Sequence, residues 1–288
     1  MVAGELLAAG IVAKVTCDEH RPYRRRVMSI NFDKKGHIGY ITINRPEVMN
    51  SLNDASLDDL ASVWGEFRDD GDLRVAIVTG AGDKAFCTGG DLKELIPRIA
   101  TGNLAITPRR LQAFLKGLSI YKPIIAAVNG ACLAGGMELI QGTDIRLAAE
   151  DAVFGLPEPR WGLFPAAGST VRLPRQIPYC QAMEMLLVGE PITAAQALSM
   201  GLINRVVPRS ELMPAAIQLA KRIAENSPLA VQAIKKSVLT CADMPEERAF
   251  LLETFYAREV FASADAQEGP RAFVKKRQPK FSSPVKNI

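Results

Sequence analysis

The stretch Asn129-Gly130-Ala131-Cys132-Leu133-Ala134-Gly135-Gly136-Met137-Glu138-Leu139 combines residue types that can act on a carbonyl oxygen. The apolar run at 124–128 reads as a buried strand. A glycine-rich turn follows, and a helix then opens with a carboxylate in its first turn. Glycines at a helix start leave backbone N–H groups pointing at a ligand oxygen, an arrangement suited to a developing oxyanion. Glu138 lies close enough to Gly135 in sequence to act on the same bound molecule. A second segment follows the same logic. Residues 75–79 read as a strand, Gly80-Ala81-Gly82-Asp83 turns the chain, and Phe86-Cys87-Thr88-Gly89-Gly90-Asp91-Leu92-Lys93 leads into a helix after Gly90. Two such strand–glycine–helix units can supply two N–H donors from separate parts of the chain. Phe154-Gly155-Leu156-Pro157-Glu158 adds a further carboxylate on a loop.

Placing these groups takes elements of both kinds. Residues 38–44 alternate and carry β-branched side chains, so they read as a strand ended by Arg45-Pro46. Asn53 or Asp54 can cap a helix running to about Arg68. Helical material is expected over 91–100, and Thr107-Pro108 reads as a helix start leading to Leu118. Residues 144–148 and 152–154 read as short strands. After about Arg209, the segments 211–225, 228–240 and 245–263 show helical apolar spacing. The pattern is an α/β core followed by a helical region.

Composition excludes several classes. With 288 residues, 48% of them hydrophobic and 23% charged, the chain has the make-up of a globular protein with a substantial core. Its net charge of +4 suits an anionic small ligand without forming the concentrated stripe of a nucleic-acid protein. The cysteines are Cys17, Cys87, Cys132, Cys180 and Cys241, widely spaced and odd in number, which points to reduced thiols in a cytoplasmic chain. Cys87 and Cys132 read as small packing residues near the site. The two histidines, His20 and His37, precede every motif, which argues against Ser-His-Asp chemistry and a histidine-rich metal site. Neither a nucleophile elbow nor a P-loop occurs, and the glycine pattern at Gly80 does not complete a dinucleotide fingerprint. No apolar stretch is long enough to span a bilayer. Residues 1–26 place Arg24-Arg25-Arg26 after the apolar segment, the wrong order for a secretory signal, and read as a flexible extension.

The ordered set of motifs resembles the crotonase superfamily, the enoyl-CoA hydratase and isomerase group. The matching pieces begin with Arg45-Pro46-Glu47-Val48-Met49-Asn50-Ser51-Leu52, Ala85-Phe86-Cys87-Thr88-Gly89-Gly90-Asp91-Leu92 and Lys122-Pro123-Ile124-Ile125-Ala126-Ala127-Val128-Asn129-Gly130. They continue through Gly135-Gly136-Met137-Glu138-Leu139, Phe154-Gly155-Leu156-Pro157-Glu158, Gly168-Ser169-Thr170-Val171-Arg172-Leu173 and Glu268-Gly269-Pro270-Arg271-Ala272-Phe273. The resemblance runs from about residue 27 to 281. It implies a spiral of ββα units over 27–209, and a helical region over 210–288 that builds trimers, often stacked as hexamers.

The resemblance also implies the ligand and the roles. The ligand is an acyl-CoA thioester of fatty acid metabolism, as in β-oxidation, with coenzyme A part of the substrate and no metal or other cofactor. The oxyanion-hole donors are the N–H groups of Gly90 and Gly135. Glu138 and Glu158 fall at the catalytic positions: Glu138 orients and deprotonates water, and Glu158 protonates the α-carbon. Backbone groups around Thr88, Gly89, Asp91, Leu92 and Lys93 receive coenzyme A, and Lys276 matches a lysine that approaches its phosphates across a subunit boundary. Trp161 is a candidate for lining the acyl pocket. Keeping both glutamates favours hydration of a trans-2-enoyl-CoA. The alternatives are a Δ3,Δ2-enoyl-CoA isomerase, another acyl-CoA enzyme of this fold, and an RNA-binding homologue. The last needs a lysine row that Arg109, Arg110, Lys116, Lys221 and Arg222 do not form.

Overall fold

The structure is a computed structural model that describes residues 29–102 and 107–283. The extension at 1–26, with Cys17 and His20, lies outside the described residues. Among the described residues, ten strands form two sheets. They are β1 (Ile30–Lys35), β2 (Ile38–Ile43), β3 (Val75–Gly80), β4 (Ala85–Cys87), β5 (Ile124–Val128), β6 (Ala131–Leu133), β7 (Ile145–Ala149), β8 (Val153–Gly155), β9 (Ile192–Thr193) and β10 (Arg205–Val207). The six-stranded sheet runs β1-β2-β3-β5-β7-β10, parallel from β2 onward. The four-stranded sheet runs β4-β6-β8-β9, with β4, β6 and β8 parallel. The chain goes from β3 to β4, from β5 to β6 and from β7 to β8, so each step along one sheet is followed by a step along the other. This is the repeating spiral that the motif order implies.

The helices are α1 (Asp54–Asp69), α2 (Ile96–Ala100), α3 (Pro108–Leu111), α4 (Gly135–Ile140), α5 (Ser169–Gln176), α6 (Tyr179–Val188), α7 (Ala194–Ser199), α8 (Leu212–Ala224), α9 (Pro228–Cys241), α10 (Glu246–Phe261) and α11 (Ala264–Val274). Side chains in β3 and β5 alternate between two cores, as the two-residue period of a strand requires. Val78, Ala126 and Val128 face the core shared with the smaller sheet and α1. Val75, Ile77, Ile125 and Ala127 face α8, which seals the outer side with Leu212, Ala216 and Ala220. Both faces are covered, so these strands read as unbroken apolar runs.

Several expectations shift. The glycine-rich turn after β5 contains the strand β6, which pairs with β4 and β8. The helix expected over 91–100 is confined to α2, because the Asp91 carboxylate accepts the N–H groups of Lys93 and Glu94 and holds the preceding residues in a turn. The helix expected to reach Leu118 ends at Leu111 and continues as a 3-10 turn to Phe114, where Leu115 takes a left-handed φ of 56°. Asn53 does cap α1, its side chain accepting the N–H of Ser56. The three expected C-terminal helices appear as α8, α9 and α10.

Candidate active site

The two proposed N–H donors come from adjacent loops. After β4, Gly89 takes a φ of +90°. Leu52 N–H donates to Gly89 O at 2.8 Å, and Asp91 N–H donates to Leu52 O at 2.8 Å. These two bonds use the peptide groups flanking Gly90 but not its own N–H. Gly135 is the first residue of α4, where N–H groups have no partner within the helix. Among the described residues neither the Gly90 nor the Gly135 N–H donates to a protein acceptor. Before Gly135, Ala134 is held at φ 49° and ψ −123°, a sparsely populated region for a residue with a Cβ and costing about 1–3 kcal/mol. Its N–H is anchored to Gly155 O at 2.9 Å. The loops touch: a Cβ on Gly89 would lie 2.6 Å from Ala134 Cβ and 2.8 Å from Gly135 N. Only glycine at 89 allows both the backbone angle and this approach.

Two asparagines hold the strand ends that feed these loops. Asn129 Nδ2 donates to Gly80 O and Gly82 O, each at 2.9 Å, and its Oδ1 accepts Gly80 N–H at 3.1 Å. Buried Asn50 donates to Ala81 O and Ala85 O and accepts Arg45 N–H. Polar groups buried this way are worth their desolvation only when paired, and both amides are.

Glu138 lies in the first turn of α4 and is 4% exposed. Its Oε1 accepts the N–H of Ala167 at 2.7 Å and of Ser169 at 3.2 Å. Burial pushes the carboxyl up to about 7 against the pull of these N–H groups, and the Glu158 charge adds to the rise. Glu158 opens a 3-10 turn after β8 and is 7% exposed. Its Oε2 is buried without a hydrogen-bond partner among the described residues, and burial raises this carboxyl too. Two buried carboxyls in one cavity cannot ionise independently, so the pair holds a proton readily.

Gly90, Gly135, Glu138 and Glu158 line one cavity of about 360 Å³. Thr88, Leu92 and Trp161 line it as well. Trp161 is 70% exposed, so it stands at the cavity rim. Gly89 is not on the lining and forms the contact between the two loops. The Asp91 carboxylate turns inward, toward Arg45 at 3.3 Å and Ser51 at 3.4 Å, so this side chain shapes the loop while Lys93 stands exposed on it. Lys276 follows the end of α11 at φ 51° and does not line the cavity. Cys87 and Cys132 are buried; desolvation pushes the Cys87 thiol up to about 12 and Cys132 well above its usual value, which makes both packing residues. No cluster of three His, Cys, Asp or Glu side chains among the described residues is arranged to hold a metal.

Sequence reading missed part of this wall. Leu57, Leu95, Leu111 and Phe114 line the cavity but look like ordinary apolar core positions. The clamp on Glu138 is made by backbone N–H groups, which leave no residue-type signal. The Gly168-Ser169 step was the only local hint, since it places a helix start near α4.

The family model for enoyl-CoA hydratase/isomerase matches residues 33–284. An enoyl-CoA hydratase from Mycobacterium tuberculosis, EchA19, is 46% identical over 254 residues, covering 87% of this chain and 95% of that protein. The (E)-benzylidenesuccinyl-CoA hydratase of Thauera aromatica is 41% identical over 255 residues, covering 88% of this chain and 99% of that protein. Among solved structures, an enoyl-CoA hydratase from Bacillus anthracis superposes with a TM-score of 0.83 at 34% identity, covering 90% of this chain and all of that one. With the ordered motifs and the two-sheet spiral, these matches place the chain in the enoyl-CoA hydratase/isomerase family of the crotonase superfamily.

Proposed function

We propose that the chain is an enoyl-CoA hydratase that adds water reversibly to a trans-2-enoyl-CoA, giving the 3-hydroxyacyl-CoA. The observation that carries the reading is one cavity holding two N–H groups without an acceptor among the described residues and two buried glutamates with raised proton affinity. The thioester oxygen lies between the N–H groups of Gly90 and Gly135. Ionised Glu138 takes a proton from water as the water oxygen bonds to C3. The π electrons of the C2–C3 bond move onto the thioester oxygen as an enolate, which the two donors stabilise. Protonated Glu158 then delivers its proton to C2. Transfer of a proton from Glu138 back to Glu158 restores the starting state. Burial raises the proton affinity of both carboxyls, and the N–H groups of Ala167 and Ser169 on Glu138 Oε1 favour its ionised form and orient it, while buried Glu158 Oε2 has no such donor among the described residues.

Coenzyme A is bound through the loop of Thr88, Gly89, Asp91, Leu92 and Lys93, with Lys276 supplied by a neighbouring subunit. The core spans 27–209, and 210–288 is the assembly region. A homotrimer or a hexamer suits the exposed apolar side chains Ile234, Val238, Phe250, Leu251 and Phe261 on α9 and α10. A cytoplasmic setting agrees with the free thiols of Cys87, Cys132, Cys180 and Cys241.

The test is loss of enoyl-thioester ultraviolet absorbance over a panel of 2-enoyl-CoAs, from crotonyl to decenoyl, for wild type, Glu138→Ala and Glu158→Ala. Fast loss in wild type and at least about 10²-fold less in each variant is expected. No loss with any member of the panel, together with conversion of 3-enoyl-CoAs, would replace hydration by isomerisation.

A further inference from the structure

We propose that the site selects a bulky apolar acyl group, either a medium-length chain or a ring-bearing one, over the crotonyl group. This rests on the hydratase reading and goes beyond it to the substrate class.

The first observation is the size of the cavity and the character of its walls. Apart from the two glutamates and Arg110, the side chains around it are apolar or small: Leu57, Leu95 and Phe114 form a buried floor, and Leu111 and Leu163 add to the walls. The cavity of about 360 Å³ takes the thioester at Gly90 and Gly135 as well as the acyl group, and at roughly 30 Å³ per water-sized group it still exceeds what a crotonyl unit of about five non-hydrogen atoms fills. A small acyl group leaves most of the apolar wall in contact with water, so it gains little from the site.

The second observation is at the mouth. Leu92, Trp161 and Phe164 are 63%, 70% and 69% exposed and all line the same cavity. Three large apolar side chains standing around one opening continue the apolar surface of the floor outward, so a long or broad acyl group meets apolar wall along its whole length.

The third observation concerns charge. Arg110 is the one basic side chain on the lining among the described residues. Its guanidinium lies 3.6 Å from Asp54, which also pairs with Arg98. Arg110 is thus tied to Asp54, and the two carboxyls on the lining, Glu138 and Glu158, favour an uncharged acyl group over one with a second carboxylate.

Each additional buried methylene contributes roughly a fourfold gain in binding. Only the part of that gain realised in the transition state raises kcat/KM. At least about a tenfold preference for 2-decenoyl-CoA or cinnamoyl-CoA over crotonyl-CoA is therefore expected. The experiment measures kcat/KM for the three substrates on wild type, Leu111→Trp and Leu163→Trp in the full-length chain. Tryptophan on the wall should remove most of the decenoyl preference, read as the ratio of the decenoyl to the crotonyl kcat/KM within each variant. Circular dichroism and melting temperature confirm that each variant folds, and either variant alone suffices. Crotonyl-CoA hydrated as fast as both larger substrates would overturn the inference and leave the hydratase reading intact. A preference unchanged in a folded wall variant would also overturn it. Hydration of none of the three by wild type would instead count against the hydratase reading.

Discussion

Glu138 Oε1 accepts the backbone N–H of Ala167 at 2.7 Å, so a residue on α4 is gripped by the start of a segment nearly thirty positions later. The grip sits where the carboxyl has lost its water. Burial is the larger effect and wins over the N–H groups, leaving the carboxyl at about 7.

Glu138→Gln keeps the shape and the accepting oxygen but removes the charge. The folded chain holds this proton up to about pH 7, against 4.5 for an unperturbed glutamate. The folded state therefore binds more protons between those values, and stability falls as pH rises from 4.5 to about 7 and stays lower above it. At 1.36 kcal/mol per pKa unit, the cost of charging Glu138 is roughly 3 kcal/mol. The glutamine variant should melt several degrees higher than wild type near pH 8 and coincide with it near pH 4, while hydration drops about 10²–10⁴-fold. Thermal melts across this range check it, and equal melting temperatures near pH 8 would disprove the claim that charged Glu138 is strained by burial.

Gly135→Ala probes the proposed oxyanion donor. Its Cβ would lie 2.8 Å from Phe114 Cε1 and 3.2 Å from Gly89 Cα. The ring can move, but the Gly89 backbone is fixed by its bond to Leu52. The Gly135 N–H must therefore tilt, and kcat should fall about 10²-fold with a stability loss of about 1–3 kcal/mol. Adding Phe114→Leu should recover part of the stability and little of the rate. Recovery of both would show that the ring contact alone mattered.

Arg172 joins the loop that carries Phe114 to α4. Nη1 donates to Phe114 O at 2.9 Å and to Glu138 O at 3.4 Å, and Nη2 donates to Leu115 O at 2.7 Å. Arg172→Met leaves these carbonyls without a donor and should cost about 3 kcal/mol in a denaturant titration. Arg172→Lys has no planar fork and should fall between wild type and the methionine variant. Identical unfolding midpoints for lysine and methionine would show that the fork contributes nothing.

The glycines and glutamates that share the cavity were legible because they lie in short contiguous motifs. The strand at 124–128, the glycines that follow it and Glu138 are neighbours in sequence, and so are Gly89, Gly90 and Asp91. Helices α1, α8, α9 and α10 were legible for a different reason, since each carries several turns of periodic apolar residues. The three-residue strands β4 and β6 were not, because segments so short hold no period to read. They exist through pairing with one another across the smaller sheet.

The sequence by itself determined the family, the glycines and glutamates that line the cavity and the alternation of apolar faces, all of which are local properties of the chain. Only the tertiary structure decided that Gly89 packs against Gly135, that Asp91 turns inward to Arg45, and that Leu57, Leu111 and Phe114 share a cavity with Trp161. It also decided the proton affinity of Glu138, which is set by how much water its neighbours exclude. These are contacts between segments far apart in the chain, and no local pattern encodes a distance between them.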